Sequence, residues 1–199
     1  MRDLLRLGLG ALLYGVIALG ANPSAADGLS AEQRAALMEM RAGDMRKLVI
    51  HKEARPAIDE VFRDQYGNEV TLTDYRGKVV VLNFWATWCP PCRAEMPSID
   101  RLSGEMAGPD VEVLALSTDR FDVERVVAFF DEIDIQNLRV LQDRRGKVAR
   151  KAGILGLPVT VILDREGREI ARLQGDAHWD SADVKAIVTR IVEMTAPKA

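Results

Sequence analysis

Cysteine and histidine are scarce in this chain, which has only two of each among 199 residues. Secreted domains stapled by disulfides carry several well-separated cysteine pairs, whereas Cys89 and Cys92 form a single Cys-x-x-Cys. A bridge between them would close almost no loop, so it would restrict the unfolded chain very little. A structural zinc site usually needs further ligands, and neither His51 nor His178 has ligand spacing relative to the pair. The pattern favours a chemical role for the cysteines, and we expect no metal and no cofactor.

An excess of positive charge is also lacking. Lys and Arg number 27 against 30 Asp and Glu, for a net charge of -3. A nucleic-acid-binding protein typically has a basic balance, so the composition favours no nucleic-acid partner. Hydrophobic residues make up 48% of the chain and charged residues 29%, which is typical of a globular protein with a sizeable core.

No apolar run reaches the ~17–25 residues that usually span a bilayer. The longest run, Leu7 to Ala21, follows Arg2 and Arg6 and precedes the small residues Ser24-Ala25-Ala26. This order is typical of a secretory signal peptide with its cleavage site. Residues 1–26 are therefore interpreted as a signal peptide or, if neighbouring leucines lengthen the run, a membrane anchor. We expect a periplasmic protein, soluble after cleavage or tethered to the cytoplasmic membrane.

Capping, apolar and turn patterns predict helices and strands along the rest of the chain. Residues 27–55 are expected to form a helical extension, and residues 56–195 the main domain. The predicted strands are Ala57–Phe62, Glu69–Leu72, Val79–Trp85, Val111–Ser117, Leu138–Leu141, Pro158–Leu163 and Glu169–Leu173. The predicted helices are about Ser30–Lys47, Cys89–Met106, Val123–Ile133, Gly146–Ala152 and Ser181–Met194. This order predicts a three-layer α/β/α sandwich with a mixed sheet and an N-terminal β-hairpin.

The two cysteines stand where the strand ending at Trp85 gives way to a helix. Unpaired backbone N–H groups and the helix dipole stabilise a thiolate at such a helix start, so Cys89 is the predicted nucleophile. Cys92 lies nearly one turn later and is expected to be more buried, as suits the thiol that resolves a mixed disulfide. Pro90 and Pro91 fit the first helical turn, where N–H groups are unpaired in any case. The pattern favours thiol–disulfide exchange.

A second motif, Gly156-Leu157-Pro158-Val159-Thr160, places a proline at the head of another core strand. A cis peptide bond before Pro158 would leave a backbone edge free to pair with an incoming substrate strand. An ordinary turn proline at a strand's first position is the alternative. The residues that flank the two motifs, Trp88, Pro90, Pro91 and Leu157, are the predicted substrate contacts.

The stretch Asn83-Phe84-Trp85-Ala86-Thr87-Trp88-Cys89-Pro90-Pro91-Cys92-Arg93-Ala94-Glu95-Met96-Pro97 resembles the TlpA/ResA-like family of exported thioredoxin-like proteins, and is closest to TlpA. The resemblance runs from about residue 58 to 194 and includes Gly77-Lys78, the Pro158 loop and Trp179. It implies a thioredoxin-like fold with an N-terminal β-hairpin and a central insertion, here about Asp119–Gln142.

The resemblance also implies an activity. Members of this family reduce disulfides outside the cytoplasmic membrane, usually at the haem-attachment cysteines of apocytochrome c or the copper-site cysteines of oxidase subunits. Their electrons usually come from a membrane thiol carrier of the DsbD or CcdA type. This chain would accordingly be a protein-disulfide reductase with such clients and such a donor.

Proton transfer is expected to depend on Glu95. Cytoplasmic thioredoxins carry a buried acid where this chain has Asn83, and because an amide cannot accept a proton, we expect a structural role for Asn83. Glu95, one turn after Cys92, matches the acid of ResA-like proteins. A carboxylate there would raise the thiol pKa values and could shuttle a proton. The alternative is that Glu95 is a solvated helix residue.

Two other functions are weighed against reductase activity. A peroxidase of the peroxiredoxin kind needs Thr or Ser where this chain has Ala86, and Pro where it has Leu82. A copper chaperone of the Sco kind places three residues between its cysteines, where this chain has two, and uses a downstream His.

The direction of the exchange is a separate question. A DsbA-like oxidant would carry a His between the cysteines, which is absent from Cys-Pro-Pro-Cys. The sequence therefore favours a reductant.

Overall fold

The computed structural model describes residues 28–197 of the 199-residue chain. The segment interpreted as a signal peptide or anchor, residues 1–26, lies outside the described residues. Among the residues described, no helix is long and apolar enough to cross a membrane.

An eight-stranded mixed sheet forms the middle layer, with helices on both faces. The strands are β1 (Val49–Arg55), β2 (Phe62–Asp64), β3 (Glu69–Val70), β4 (Val79–Trp85), β5 (Val111–Ser117), β6 (Leu141–Gln142), β7 (Val159–Leu163) and β8 (Glu169–Gln174). The helices are α1 (Ala31–Glu39), α2 (Pro90–Met106), α3 (Glu124–Glu132), α4 (Lys147–Lys151) and α5 (Ala182–Thr195), with 3₁₀ turns at Gly43–Lys47 and Leu72–Tyr75. The strand order across the sheet is β1-β8-β7-β4-β5-β6-β2-β3.

Strand β4 lies in the centre of the sheet, and the Cys89–Cys92 pair follows it at the start of α2. It runs parallel to β5 and antiparallel to β7. Every residue of β4 is buried, as its unbroken run of apolar, mostly β-branched residues predicted. The register pairs Asn83 with Thr160 and Phe84 with Val159, so the head of β7 lies beside the end of β4.

The two faces of the sheet pack against different helices. One core contains residues of α2, α3 and α5 together with α1 and the Gly43–Lys47 turn, and its largest side chains include Trp85 and Trp179. The other core contains residues of α4, the Leu72–Tyr75 turn and the β2–β3 hairpin. The predicted three-layer α/β/α sandwich is therefore confirmed, and the predicted insertion Asp119–Gln142 contains α3.

The N-terminal extension differs from the expected helix. Helix α1 ends at Glu39, and Gly43 has a φ of 49°, which interrupts the helix before the 3₁₀ turn. The residues that follow, Val49–Arg55, form strand β1 at the edge of the sheet, antiparallel to β8. The expectation that residues 27–55 are helical is wrong for this strand. The sequence pattern did not predict this strand because it is polar. An edge strand that is largely exposed needs no apolar run.

The short strands also begin and end differently from the prediction. The hairpin is present, but its first strand begins at Phe62 rather than Ala57, and the strand expected at Leu138–Leu141 is Leu141–Gln142. Asp64 closes the hairpin turn by accepting hydrogen bonds from the backbone N–H groups of Tyr66 and Asn68, each at 2.9 Å. Strand β2 pairs with both β3 and β6 at one edge of the sheet. Strands of two or three residues are too short to show an alternation of side chains that would predict where they begin and end.

Candidate active site

Cys89 is the N-cap residue of α2, and it forms a disulfide with Cys92 across a Cα–Cα distance of 5.3 Å. The backbone N–H of Cys92 donates to Cys89 Sγ at 3.4 Å. Cys92 is fully buried, whereas 4% of Cys89 is exposed. Pro90 and Pro91 occupy the first helical positions, as predicted. Both cysteines are therefore nearly enclosed in the disulfide form, and Cys89 is the more accessible of the two.

The predicted substrate contacts are all at least partly accessible. Trp88 is 63% exposed, Pro90 and Pro91 are exposed, and Leu157 is half-buried. The Leu157–Pro158 peptide bond is cis, and Pro158 itself is buried. Trp88 and Leu157 line the same groove, so the structure brings the two sequence motifs together.

Glu95 lies inside the protein, one helical turn after Cys92, and only 4% of it is exposed. Its Oε1 accepts a hydrogen bond from Asn83 Nδ2 at 2.8 Å. Its Oε2 accepts from Trp179 Nε1 at 2.9 Å and from the Ala177 N–H at 3.2 Å. The interpretation of Glu95 as a solvated helix residue is therefore wrong.

The carboxyl group of Glu95 has an unusual acidity. Burial removes it from water and raises its pKa to about 7, although the donors from Trp179, Asn83 and Ala177 act in the opposite direction. Because this pKa lies near neutral pH, Glu95 can both accept and release a proton there. Residues three apart on a helix share a face, so Glu95 and Cys92 both point inward from α2.

The donors to Glu95 come from separate elements. Asn83 is on β4, and its amide also donates to Thr160 Oγ1 on β7 at 2.9 Å. Ala177 and Trp179 belong to the loop before α5, and the Trp179 N–H donates to Ser98 Oγ at 3.1 Å. Asn83 is thus structural, as expected, but it also contacts the acid. Sequence reasoning did not identify Ala177 or Trp179 as partners of Glu95, because no local pattern connects them to it.

A second buried carboxylate supports the segment before the cysteines. Asp119 follows β5 and accepts hydrogen bonds from both the N–H and the Oγ1 of Thr87, each at 2.9 Å. Ser117 Oγ donates to the same side chain at 2.7 Å. Asp119 therefore fixes Thr87, the residue that precedes the exposed Trp88. No sequence pattern predicted this contact.

Within residues 28–197, no three His, Cys, Asp or Glu side chains come together in a way that could hold a metal ion. The reactive groups that the site contains are the Cys89–Cys92 pair and Glu95, one helical turn after Cys92. These groups can exchange a disulfide and move a proton.

Comparison with known proteins agrees with this geometry. The AhpC/TSA family matches residues 54–170. The thiol-disulfide oxidoreductase ResA of Bacillus thuringiensis subsp. konkukian is 35% identical over 130 residues, which cover 65% of this chain and 72% of that protein.

Two solved structures extend the comparison. A protein described as thiol:disulfide interchange protein DsbE from Chlorobium tepidum has a TM-score of 0.60 and 26% identity, covering 72% of this chain and 97% of that chain. The exposed lipoprotein thioredoxin Etrx1 of Streptococcus pneumoniae has a TM-score of 0.57 and 28% identity, covering 68% and 99%. The chain therefore belongs to the AhpC/TSA family of thioredoxin-like proteins, and it is a thiol-disulfide oxidoreductase similar to ResA.

Proposed function

We propose that this protein is an extracytoplasmic reductant of protein disulfides. The observation that carries the proposal is the buried carboxyl group of Glu95, one helical turn after Cys92, with a pKa of about 7. A Cys-x-x-Cys protein is a strong oxidant when its reduced form is stabilised, with the nucleophilic cysteine as a stable thiolate. A neighbouring carboxylate disfavours a thiolate, so the disulfide state is relatively favoured and the dithiol gives up electrons readily.

The reaction proceeds in two exchanges. The Cys89 thiolate attacks one sulfur of a client disulfide, which forms a mixed disulfide and releases the first client thiolate. Cys92, as a thiolate, then attacks Cys89 Sγ, which closes the Cys89–Cys92 disulfide and releases the second client thiolate. Two electrons pass from the pair to the client, and the two client sulfurs take up protons.

Glu95 serves the second exchange in this mechanism. Cys92 is buried, so its thiol cannot pass a proton directly to bulk water. An ionised Glu95 accepts that proton and later returns it to solvent or to the leaving client thiolate. Because its pKa is about 7, a substantial fraction of Glu95 is ionised at neutral pH and available as a base.

The client is held by the surface around the pair. Trp88, Pro90, Pro91 and Leu157 contact its side chains, and the cis bond before the buried Pro158 sets the course of the backbone beside them. The backbone before β7 pairs with an extended client segment in this arrangement, as a strand added to a sheet edge.

We further propose that the clients are the haem-attachment cysteines of apocytochrome c or the copper-site cysteines of oxidase subunits. A membrane thiol carrier of the DsbD or CcdA type would return electrons to the Cys89–Cys92 disulfide. The N-terminal segment supports a periplasmic location, because residues 1–26 have the order of a signal peptide or anchor. The relative in Streptococcus pneumoniae, described as an exposed lipoprotein, is consistent with export.

Client capture in cells tests this proposal. The Cys92→Ser protein should accumulate as a covalent complex with its client, because no second thiol can resolve the mixed disulfide. Non-reducing electrophoresis and mass spectrometry would identify the attached protein. The double variant Cys89→Ser/Cys92→Ser is the control and should capture nothing. Capture of cytochrome or oxidase proteins supports the assignment, whereas complexes confined to unrelated proteins would refute it.

A further inference from the structure

An open groove of about 540 Å³ includes Trp88, the neighbour of Cys89 in the sequence, in its lining. Its apolar lining includes Phe121, Ile154 and Leu155 as well as Leu157. Phe121 is 48% exposed and Leu155 is fully exposed. Large apolar side chains that converge on one exposed concave surface typically mark an interaction site.

The same groove is basic. Its lining includes two basic residues, Arg120 and Arg150, and no acidic residue. Among the described residues, Arg120 has no salt-bridge partner, and Arg150 donates only to the backbone oxygen of Arg145, at 2.7 Å. Arg125 lies over the ring of Phe121, 4.5 Å from its centroid. The buried carboxyl group of Asp143 lies within electrostatic range of Arg150, and the exposed side chains of Arg120 and Arg150 place positive charge beside the apolar lining.

The segment that supplies Arg150 adds further cations. Exposed basic side chains occur throughout residues 144–151, and in the structure only Arg144 is paired with a carboxylate, Asp122, at 2.9 Å. This concentration of charge occurs in a chain whose net charge is -3. Such a local surface favours encounter with negatively charged segments and disfavours positively charged ones.

We propose that this groove binds the client segment next to the target disulfide and selects segments that combine an apolar residue with an acidic one. The proposal rests on the proposed function, because it concerns the same site. Phe121 and Leu155 contact the apolar side chain, while Arg120 and Arg150 pair with the carboxylate. The groove is continuous with Trp88, so a client bound there has its sulfur close to Cys89.

Three synthetic peptides test the proposal. Each contains the same internal Cys-x-x-Cys disulfide, followed on one side by Leu-Glu, Leu-Gln or Leu-Lys. We measure the second-order rate of peptide reduction by the reduced protein at pH 7, at low and at physiological salt. The Glu peptide should react about tenfold faster than the Gln peptide at low salt, and the Lys peptide more slowly than both. These differences should shrink as salt rises.

The double variant Arg120→Gln/Arg150→Gln should remove the preference for the Glu peptide. The matched control, Arg46→Gln/Arg190→Gln, changes the net charge by the same amount at two exposed positions. These positions are on the Gly43–Lys47 turn and α5, which pack on the sheet face opposite α4. The control should keep the preference. Hydroxyethyl disulfide, which is too small to reach the groove, should be reduced at one rate by all of these proteins.

The outcomes separate this inference from the proposed function. If hydroxyethyl disulfide is reduced but the three peptides react equally, the charge selection is refuted and the reductase remains. If neither hydroxyethyl disulfide nor any peptide is reduced, the proposed function fails and the inference with it. If the double variant keeps the Glu preference but loses binding to phosphatidylglycerol vesicles, the basic surface serves a membrane and the inference is refuted.

Discussion

Glu95 shows how a single buried carboxyl group can link stability to pH. Burial in the folded protein raises its pKa from 4.5 to about 7, whereas the unfolded chain leaves it in water. Between these two values the folded state binds more protons than the unfolded state. The free energy of unfolding therefore falls as pH rises through this window and is steady above it.

The change Glu95→Gln should remove this dependence. A rise in pKa from 4.5 to about 7 corresponds to about 3 kcal/mol. From pH 4 to pH 8, the free energy of unfolding of the wild type should therefore fall by about 3 kcal/mol relative to that of the variant. Urea unfolding of the disulfide form measures it, because oxidised cysteines do not titrate. Glu105→Gln on the same helix is the control, since Glu105 is exposed and pairs with Lys185 at 2.7 Å. A stability difference that is constant with pH for Glu95→Gln would contradict the burial effect.

The same substitution should affect catalysis. Without a carboxylate, thiolate formation becomes easier, so the thiol titration should move to lower pH. The proton acceptor for Cys92 is lost, however, and general acid–base catalysis typically contributes ~10²–10⁴-fold. Disulfide reduction near pH 7 should therefore slow at least tenfold. Reduction rate and iodoacetamide reactivity, each measured against pH, check both effects, and superimposable curves for the two proteins would make Glu95 a bystander.

Short-range patterns indicated the candidate site residues but not the surroundings of Glu95. Cys89, Cys92 and Pro158 lie in compact motifs, and Glu95 is one turn from Cys92 on the same helix. Its partners Asn83, Ala177 and Trp179 lie on β4 and on the loop before α5. Only the folded arrangement of these elements brings them together, so a single sequence carries no direct signal of the contacts.

At the scale of elements, the N-terminal extension supports the loop that donates to Glu95. Asp44 Oδ2 accepts hydrogen bonds from the backbone N–H of His178 at 3.0 Å and from His178 Nδ1 at 2.9 Å. Lys47 Nζ donates to the backbone oxygen of Asp176 at 2.9 Å. His178 lies between the two donors Ala177 and Trp179. The 3₁₀ turn therefore holds this loop against the active-site helix.

The change Asp44→Asn should weaken that support. The backbone N–H of His178 lowers the pKa of Asp44 to about 2, so the carboxylate is charged throughout the neutral range and the amide would hold the loop less firmly. With its donors less ordered, Glu95 should titrate at higher pH, as measured by ¹³C NMR of its carboxyl carbon. Asp110→Asn is the control, because this exposed carboxylate pairs with Arg165 at 2.8 Å and lies outside the loop before α5. Equal shifts in both variants would contradict the specific role of Asp44.

The elements that sequence patterns predicted well are those with strong periodicity. The buried strands β4 and β5, and helices α2, α3 and α5, lie within a few residues of their expected bounds. Strand β1 was missed because it is polar and mostly exposed, and it becomes a strand only by pairing with β8. Its structure depends on a partner far along the chain rather than on its own residues.

At the scale of the whole molecule, one end of the sheet collects the functional groups. The cysteines follow β4, Asp119 follows the parallel strand β5, and Pro158 precedes β7, which runs antiparallel to β4. The carboxyl ends of parallel strands commonly form the site of an open α/β sheet. Here that end carries the exposed Trp88 and the basic groove, so docking and chemistry share one surface.

Mixed-disulfide formation by single-serine variants distinguishes the attacking cysteine, Cys89, from the resolving cysteine, Cys92. Each variant is mixed with a peptide disulfide, and the covalent adduct is followed by intact mass spectrometry. We expect rapid accumulation of a stable adduct on Cys92→Ser, at least a hundredfold slower reaction of Cys89→Ser, and complete turnover by the wild type. An adduct that forms on Cys89→Ser as fast as on Cys92→Ser would contradict these roles.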